Sequence, residues 1–360
     1  MAAEDRLERL ERRKHEIGIE IDRVTDVTST DFPGHYPDED NSWDIEKFKK
    51  QFFIQIRRCE ENHLEFDAVG IDASIANAVR RILISEIPTM AIEYVYIMNN
   101  TSVIQDEVLA HRLGLIPISA PASEFAQFKR PAEGEAPQPT DADTVVLSLN
   151  VKCERNKDAP ADCEDPKELY INGDVTSGMI KWTPMGEQSN TLSRFKIGPT
   201  QDDILIAKLR PGQEIDLEMH AILGLGQDHA KFSPVAPATY RIMPTITILE
   251  PIEGDDAEKF KKCFPKGVIK VIPDNSAKGG KKAIVRNPRN DSVSRECLRH
   301  EEFKDKVRLG RKRNHFLFSV ESTGVADADV LVLKAITVLR RKCEAVKMEI
   351  ERQRGDQSDD

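Results

Sequence analysis

Apolar residues at helical spacing predict a short amphipathic helix in the first quarter of the chain. The apolar face consists of Ile75, Val79, Ile82 and Leu83. Ser74 is a residue type that caps helices, and Pro88 ends the helix at about Ile87 because proline cannot continue it. This face could pack in the chain's own core or against a partner.

A second helical pattern runs from Asp327 to about Arg352. Its apolar residues alternate at spacings of four and three: Val332, Ile336, Leu339, Cys343, Val346 and Ile350. This is a heptad seam, with charged residues around the rest of the helix. The seam predicts either packing on the chain's own sheet or pairing with a partner helix.

Alternating and short apolar runs predict strands between these helices. Two strands should follow Phe52, joined by a turn near Glu61-Asn62, and another should run from Ala91 to Met98. A second short helix is predicted over Asp106 to Leu113, with Gly114 at its stop. Further strands are expected at 144–152, 169–171 and 214–222, and the region before the last of these ends at 204–209. Strands and helices in this mixture indicate an α+β fold.

Composition favours an intracellular, soluble protein of two or three modules. The chain has 360 residues, enough for more than one core. No apolar run reaches the roughly 18 residues of a membrane span, and residues 1–20 are too charged for a signal peptide. Its six cysteines are scattered, which favours free thiols over a disulfide framework.

The net charge of -10 conceals a basic segment at residues 257–313. This segment holds 18 Lys and Arg against 7 Asp and Glu, so it carries +11 and the remainder -21. Such a surface can attract acidic protein or nucleic acid. Its aromatic residues are only Phe260, Phe264 and Phe303, so stacking on single-stranded bases is poorly supported. A nucleic-acid-binding module remains the alternative function, beside a solvated or protein-facing surface.

Catalytic and metal motifs are missing from the sequence. It has no G-x-S-x-G, H-E-x-x-H or Walker sequence, and Gly224-Leu225-Gly226 lacks the third glycine of a dinucleotide loop. Asp327 and Asp329 precede a helix and suit its cap better than a two-metal centre. We therefore predict no catalysis by this chain alone.

Metal sites are equally poorly supported. Cys153 and Cys163 are too few for tetrahedral zinc, and Cys263 and Cys297 lack the other two thiolates of an iron–sulfur cluster. His229 and Lys231 could bind an anion or metal, or simply form a turn. We expect no metal and no cofactor.

Two adjacent motifs resemble those of the alpha subunit family of cellular RNA polymerases. The first is Asn77-Ala78-Val79-Arg80-Arg81-Ile82-Leu83, followed by Ser85, Pro88, Ala91 and Val95. The second, Asp106 to Pro117, is similar to the motif that follows it in eukaryotic and archaeal alpha-like subunits. The resemblance implies dimerisation with a smaller alpha-like subunit and docking of the second-largest catalytic subunit.

The resemblance also implies which residues make these contacts. The partner interface would comprise Ile75, Asn77, Val79, Arg80, Arg81, Ile82, Leu83 and Glu86 together with the heptad seam. Arg80 and Arg81 point about 100° apart on a helix and could hold polar groups of the large subunit. The segment beginning His229-Ala230-Lys231 is similar to a contact loop of the family. Contacts to the large subunit, or to the small accessory subunits, would come from Arg112, His229, Lys231 and Phe232.

Residues 260–322 resemble an insertion in the larger alpha-like subunit shared by RNA polymerases I and III. The resemblance implies a non-catalytic scaffold in the nucleus and nucleolus, for synthesis of ribosomal RNA precursor, transfer RNA and 5S RNA. It implies nucleic-acid contact only through the complex, and no membrane.

We accordingly expect an α+β alpha-like dimerisation domain with two insertions. The dimerisation domain would combine 49–92, 213–256 and 312–353, with a mostly-β domain inserted at 93–212. A basic ferredoxin-like insertion without cluster ligands would occupy 257–311. Residues 1–48 would form an N-terminal extension and 354–360 an acidic tail.

Overall fold

The computed structural model describes residues 12, 15–27, 42–129, 137–160 and 164–356. Cys163 lies outside these residues, as do most of the predicted extension at 1–48 and most of the predicted tail at 354–360. In the part of the chain that is described, no helix is both long and apolar enough to cross a membrane.

Helices and strands contribute comparably to the mixed fold, in agreement with the α+β prediction. The α-helices are α1 (Ile45–Gln51), α2 (Ala73–Ser85), α3 (Asp106–Gly114), α4 (Pro166–Leu169), α5 (Gln188–Thr191), α6 (Gly254–Lys262), α7 (Glu301–Lys304) and α8 (Ala328–Asp356). The strands are β1 (Glu16–Ile19), β2 (Val24–Thr25), β3 (Phe53–Glu60), β4 (His63–Val69), β5 (Thr89–Asn100), β6 (Ile118–Ser119), β7 (Thr144–Lys152), β8 (Glu154–Arg155), β9 (Tyr170–Ile171), β10 (Asp174–Thr176), β11 (Lys181–Trp182), β12 (Gly198–Pro199), β13 (Leu205–Lys208), β14 (Glu214–Gly224), β15 (Val235–Ile248), β16 (Ile269–Pro273), β17 (Lys281–Val285) and β18 (Val307–Ser322).

Helix α2 begins one residue earlier than predicted, and its cap is a different residue. The Ser74 amide donates to the Asp72 carboxylate at 2.8 Å, and the Ala76 amide donates to the Asp72 carbonyl. Asp72 is therefore the N-cap, and Ser74, which we expected in that role, lies within the first turn. The pKa of Asp72 is lowered, chiefly by its hydrogen bond with Ser74.

The chain divides into two compact units. The first comprises the described parts of Met1–Arg57 with Glu65–Asn77 and Thr239–Phe318, and the second comprises Arg58–Leu64, Ala78–Ala238 and the described part of Ser319–Asp360. This division does not coincide with the predicted domains. In particular, β14 follows the predicted boundary at residues 212 and 213, yet it pairs with β5 and β7.

The first unit is built on an antiparallel sheet with the strand order β2-β1-β18-β4-β3, in which β15 also pairs with β18. Phe66 on β4 stacks on Phe318 of β18 with ring centroids 4.8 Å apart. A second core gathers apolar residues of α6, the β16–β17 hairpin and α7 around Phe260 and Phe303. The basic segment thus contains the β16–β17 hairpin, α7, most of α6 and the start of β18, and its apolar residues form a buried core.

The second unit is built on a four-stranded sheet with the order β11-β7-β14-β5. Met219 of β14 lies opposite Val95 of β5 on one side and Leu147 of β7 on the other. Helix α3 covers this sheet through the buried residues Leu109 and Leu113. The unit also carries the last helix, α8.

Candidate interaction surfaces

Only the first part of α8 packs on its own unit. Ala328, Leu331 and Ala335 are buried, and they recur at spacings of three and four on one side of the helix. About two turns later, Lys342 forms an ion pair with Glu86 at 2.9 Å. Residues 343–354 are exposed throughout. At 1.5 Å per residue this exposed part of the helix is about 18 Å long.

The predicted heptad seam lies beside the buried row of α8. Val332 and Leu339 are half-buried, whereas Ile336 and Cys343 are exposed. In the distal part, Val346 and Ile350 are also exposed. A stripe of large apolar side chains along a helix without cover is costly in water, so the seam has the properties of a protein-binding surface.

Helix α2 divides the predicted interface residues into two groups. Ile82 and Leu83 are buried within this chain, and Glu86 is held by Lys342. The outward group consists of Ile75 and Arg81, which are exposed, and Asn77, Val79 and Arg80, which are half-buried. Only this second group offers side chains to a partner without rearrangement of α2.

Two predicted contact residues, Lys231 and Phe232, attach the loop before β15 to the rest of its own unit. The Lys231 ammonium donates to the Ile92 carbonyl at 2.7 Å and pairs with Glu93 at 2.5 Å. Phe232 is only 1% exposed, and its carbonyl accepts a hydrogen bond from the Thr89 hydroxyl. Phe232 was expected to contact another subunit, but its buried side chain cannot do so from this conformation.

A cavity of about 240 Å³ adjoins this loop and includes Glu93, His111, Leu115, His229 and Lys231 in its lining. The exposed rings of His111 and His229 meet edge to face, with centroids 6.3 Å apart. The His229 Nδ1 accepts from the Lys231 amide, which leaves Nε2 as the donor of the neutral ring. The cavity therefore presents the His229 Nε2 donor beside the Glu93–Lys231 ion pair.

The Arg112 side chain is already hydrogen-bonded within the same unit. Its guanidinium donates to the carbonyls of Leu205 and Ile206, at 2.8 and 3.1 Å. These bonds join α3 to β13. A contact from Arg112 to another subunit would use its remaining donors.

The two glycines of Gly224-Leu225-Gly226 are explained by close packing. A Cβ on Gly224 would lie 2.6 Å from the ring of Phe232, and one on Gly226 would overlap the carbonyl oxygen of Ile84. Because both positions exclude any side chain, the glycines serve packing rather than a phosphate loop.

Several cations of the basic segment have carboxylate partners within it or nearby. Lys259 pairs with Glu302 and Lys282 with Asp274. Phe260 and Phe303 are buried, so they offer no face for bases. Nucleic-acid binding by this segment, the alternative function, stays a prediction.

The two cysteines of the basic segment are buried. Burial raises the pKa of Cys297 to about 12 and also raises that of Cys263. These thiols stay protonated near neutral pH, whereas a metal ligand must be a thiolate. Among the residues that the structure describes, no three His, Cys, Asp or Glu side chains converge as a metal site.

Sequence reasoning missed a buried ionic cluster around Asp67 in the first unit. The Asp67 carboxylate accepts from Arg57 at 3.0 Å, from His315 at 3.2 Å and from Arg289. Burial raises the pKa of Asp67, but the hydrogen bonds from Arg289, Arg57 and His315 outweigh it and hold the pKa below its usual value. The partners are 10, 248 and 222 residues away from Asp67, so no local pattern could reveal them.

Comparison with known proteins gives these surfaces a context. A family model described as the RNA polymerase Rpb3/Rpb11 dimerisation domain matches residues 65–343. The chain is 52% identical over 333 residues to the DNA-directed RNA polymerases I and III subunit RPAC1 of Saccharomyces cerevisiae, covering 92% of this chain and 97% of that protein. It is 52% identical to the same-named human subunit over 320 residues, with 89% and 90% covered. Identity falls to 33% over 303 residues with the DNA-directed RNA polymerases II, IV and V subunit 3 of Arabidopsis thaliana, with 82% and 90% covered.

Proposed function

The chain belongs to the RNA polymerase Rpb3/Rpb11 dimerisation family, and from this membership we propose how it works in RNA polymerases I and III. It is the larger alpha-like subunit of these enzymes, and its task is assembly. The higher identity to the subunits named for polymerases I and III than to that named for II, IV and V supports this assignment.

Helix α8 carries the proposal for the first assembly step. Its distal part leaves its own unit with the seam residues Cys343, Val346 and Ile350 exposed. Pairing with a helix of the smaller alpha-like subunit would bury this stripe. Each large apolar side chain so buried contributes about 1.5 to 3 kcal/mol before the ordering costs of association are subtracted.

The outward group on α2 supports a second step, docking of the second-largest subunits. Arg81 is exposed and Arg80 half-buried on adjacent directions of the helix, and arginine suits carboxylates and carbonyls on a partner. The small accessory subunits would meet the exposed His111 and His229 beside the cavity, together with the remaining donors of Arg112. In this scheme Lys231 and Phe232 hold the loop in place.

The chain itself performs no catalysis in this proposal. Nucleotide addition belongs to the complex, which makes ribosomal RNA precursor and small RNAs such as transfer RNA and 5S RNA. The subunit accordingly works in the nucleus, including the nucleolus, and meets nucleic acid through the complex. Residues 257–311, which make up most of the basic segment, form a ferredoxin-like insertion without cluster ligands in this proposal.

A charge on the seam tests the first step. We expect Val346→Asp to abolish co-purification of the smaller alpha-like subunit, because the partner would have to bury an unpaired carboxylate. Val346 is 61% exposed, so the change should leave the free chain folded. Leu339→Asp places the same charge on the half-buried part of the seam and should have the same effect.

Met348→Asp is a matched control. Met348 is 64% exposed and only two residues from Val346, which places it about 200° away on the helix. The two subunits are co-expressed, and native mass spectrometry measures the fraction of heterodimer. Stoichiometric heterodimer with Val346→Asp, or equal losses with both variants, would refute the role of the seam.

A further inference from the structure

Strand β3 lies at the edge of its sheet in the part of the chain that the structure describes. Among these residues β4 is its only strand neighbour, so at 53–57 the opposite edge presents unpaired amides and carbonyls. All eight residues from Phe53 to Glu60 are exposed. An edge of this kind is a template for pairing with another strand.

The first half of this edge lacks the features that protect natural sheet edges, whereas its second half carries Arg57, Arg58 and Glu60. The sequence Phe53-Ile54-Gln55-Ile56 contains no proline and no charge, whereas exposed edges are commonly blunted by lysine, proline or a bulge. Side chains alternate along a strand, so Phe53 lies on the opposite face from Ile54 and Ile56. Apolar side chains are therefore exposed on both faces of the edge.

The preceding segment enlarges this apolar surface. Trp43 is 71% exposed, and its ring lies 5.1 Å from that of Phe48, which stacks at 5.3 Å on Phe52. Helix α1 buries none of its residues in this chain. A contiguous sequence from Trp43 to Ile56 thus offers aromatic and aliphatic side chains that its own unit does not use.

We propose that β3 accepts an extended strand from another polymerase subunit, which adds to the sheet at this edge. A helix or loop laid on one face would leave the apolar side chains of the other face in water, whereas an added strand extends both faces and pairs the open backbone. Lys47 and Lys50 on α1 are exposed and have no carboxylate partner among the described residues. The incoming strand therefore carries apolar residues at alternate positions and an acidic flank.

The proposal rests on membership of a multisubunit complex but not on the α8 seam. Hydrogen exchange of the backbone amides tests it directly, first in the free chain and then in RNA polymerases I and III assembled with it. Alternate amides between Phe53 and Arg57 should exchange at least about tenfold more slowly in the assembled enzymes, because new backbone hydrogen bonds protect them.

Two variants and a control give the result its meaning. Ile56→Pro removes one backbone amide from the edge. The double variant Phe53→Lys with Ile56→Lys keeps every amide but places charges that disfavour strand pairing. Both variants should reduce incorporation of the chain into the polymerases, while native mass spectrometry should still find the heterodimer. Val103→Lys changes an exposed apolar residue elsewhere and should have no effect. Loss of the heterodimer with the β3 variants would place this edge within the seam interface and overturn the proposal of a separate strand partner.

Equal exchange in the free and assembled states would also overturn it. Slow exchange already present in the free chain would assign the edge to a segment of this same chain, and protection that depends on the concentration of the free chain would assign it to a second copy. Either result would remove the partner strand.

Discussion

Replacing Asp67 by Asn tests whether the buried ionic cluster fastens the first unit. The Asp67 side chain is 2% exposed and accepts from Arg289, which is 21% exposed, as well as from Arg57 and His315. Arg289 follows β17 in the basic segment, whereas Asp67 lies on β4. The substitution keeps the shape of the side chain but removes the nearer counter-charge of a largely buried guanidinium, which keeps only the Glu65 carboxylate at 4.0 Å.

The magnitude follows from the exposure of each partner. A hydrogen bond to a buried charge contributes about 1.5 to 3 kcal/mol and one at the surface about 0 to 1 kcal/mol, so the bond from Arg289 dominates and the half-exposed Arg57 adds little. We expect Asp67→Asn to lower the free energy of unfolding by about 3 kcal/mol, at the lower end of the range for breaking a buried pair. The urea midpoint of the first unit should fall by roughly 1 to 2 M.

The effect should depend on pH with a definite sign. The pKa of Asp67 is lower in the folded chain than its ordinary value, so its contribution is fully present above the unfolded pKa of about 3.9 and is lost as the pH falls through the folded pKa. The difference between the natural chain and Asp67→Asn should therefore be constant from pH 5 to 7 and shrink at pH 3.

Urea titration followed by hydrogen exchange mass spectrometry measures the loss locally, in peptides that contain β4 and β18. Glu60→Gln is the control, because Glu60 pairs with Arg58 at the surface and should change little. Equal destabilisation by both variants, or a loss confined to the second unit, would refute the reasoning.

Two further outcomes follow from exposure and close packing. Iodoacetamide should modify the exposed Cys343 in the free chain but not the buried Cys297. Heterodimer formation should slow the labelling of Cys343 on the seam. Mass spectrometry of the labelled peptides measures this, and an equal labelling rate of Cys343 in the free chain and in the heterodimer would disprove it. Gly226→Ala should lower the free energy of unfolding by about 1 to 3 kcal/mol, since its Cβ would overlap the Ile84 carbonyl. An unchanged urea midpoint would show that the backbone yields there at little cost.

Local pattern predicted much of the secondary structure. Strand β7 spans residues 144–152 as expected, the β3–β4 turn lies at Glu61-Asn62, and α3 extends one residue beyond its predicted end. These elements depend on the period of apolar residues and on nearby residues that end helices or form turns, and both can be read from a short stretch of sequence. The predicted N-cap of α2 was wrong because Asp72 and Ser74 are both residue types that cap helices, and the backbone geometry decides between them.

Long-range packing could not be predicted in the same way. The division of the chain into units depends on β14 pairing with both β5 and β7, and no local signal at residue 212 records it. Phe232 was expected to be a contact residue because the segment beginning at His229 is similar to a contact loop of the family. Its ring instead occupies the space left by Gly224, a contact that requires the folded loop.

Helix α8 shows what periodicity can and cannot decide about an interface. Two rows run along it, roughly 70° apart: the buried row Ala328, Leu331 and Ala335, and the seam that begins at Val332. Both rows repeat at helical spacing, so the period alone could not say which packs inside. The buried row contains two alanines beside Leu331, and the alanines let the helix lie close to its own unit, while the seam consists of larger side chains. A helix with one row packed inward and large apolar residues on the adjacent open face can hold its own unit and a partner at once, and this geometry is what the heterodimer measurement on Val346→Asp and the labelling of Cys343 probe.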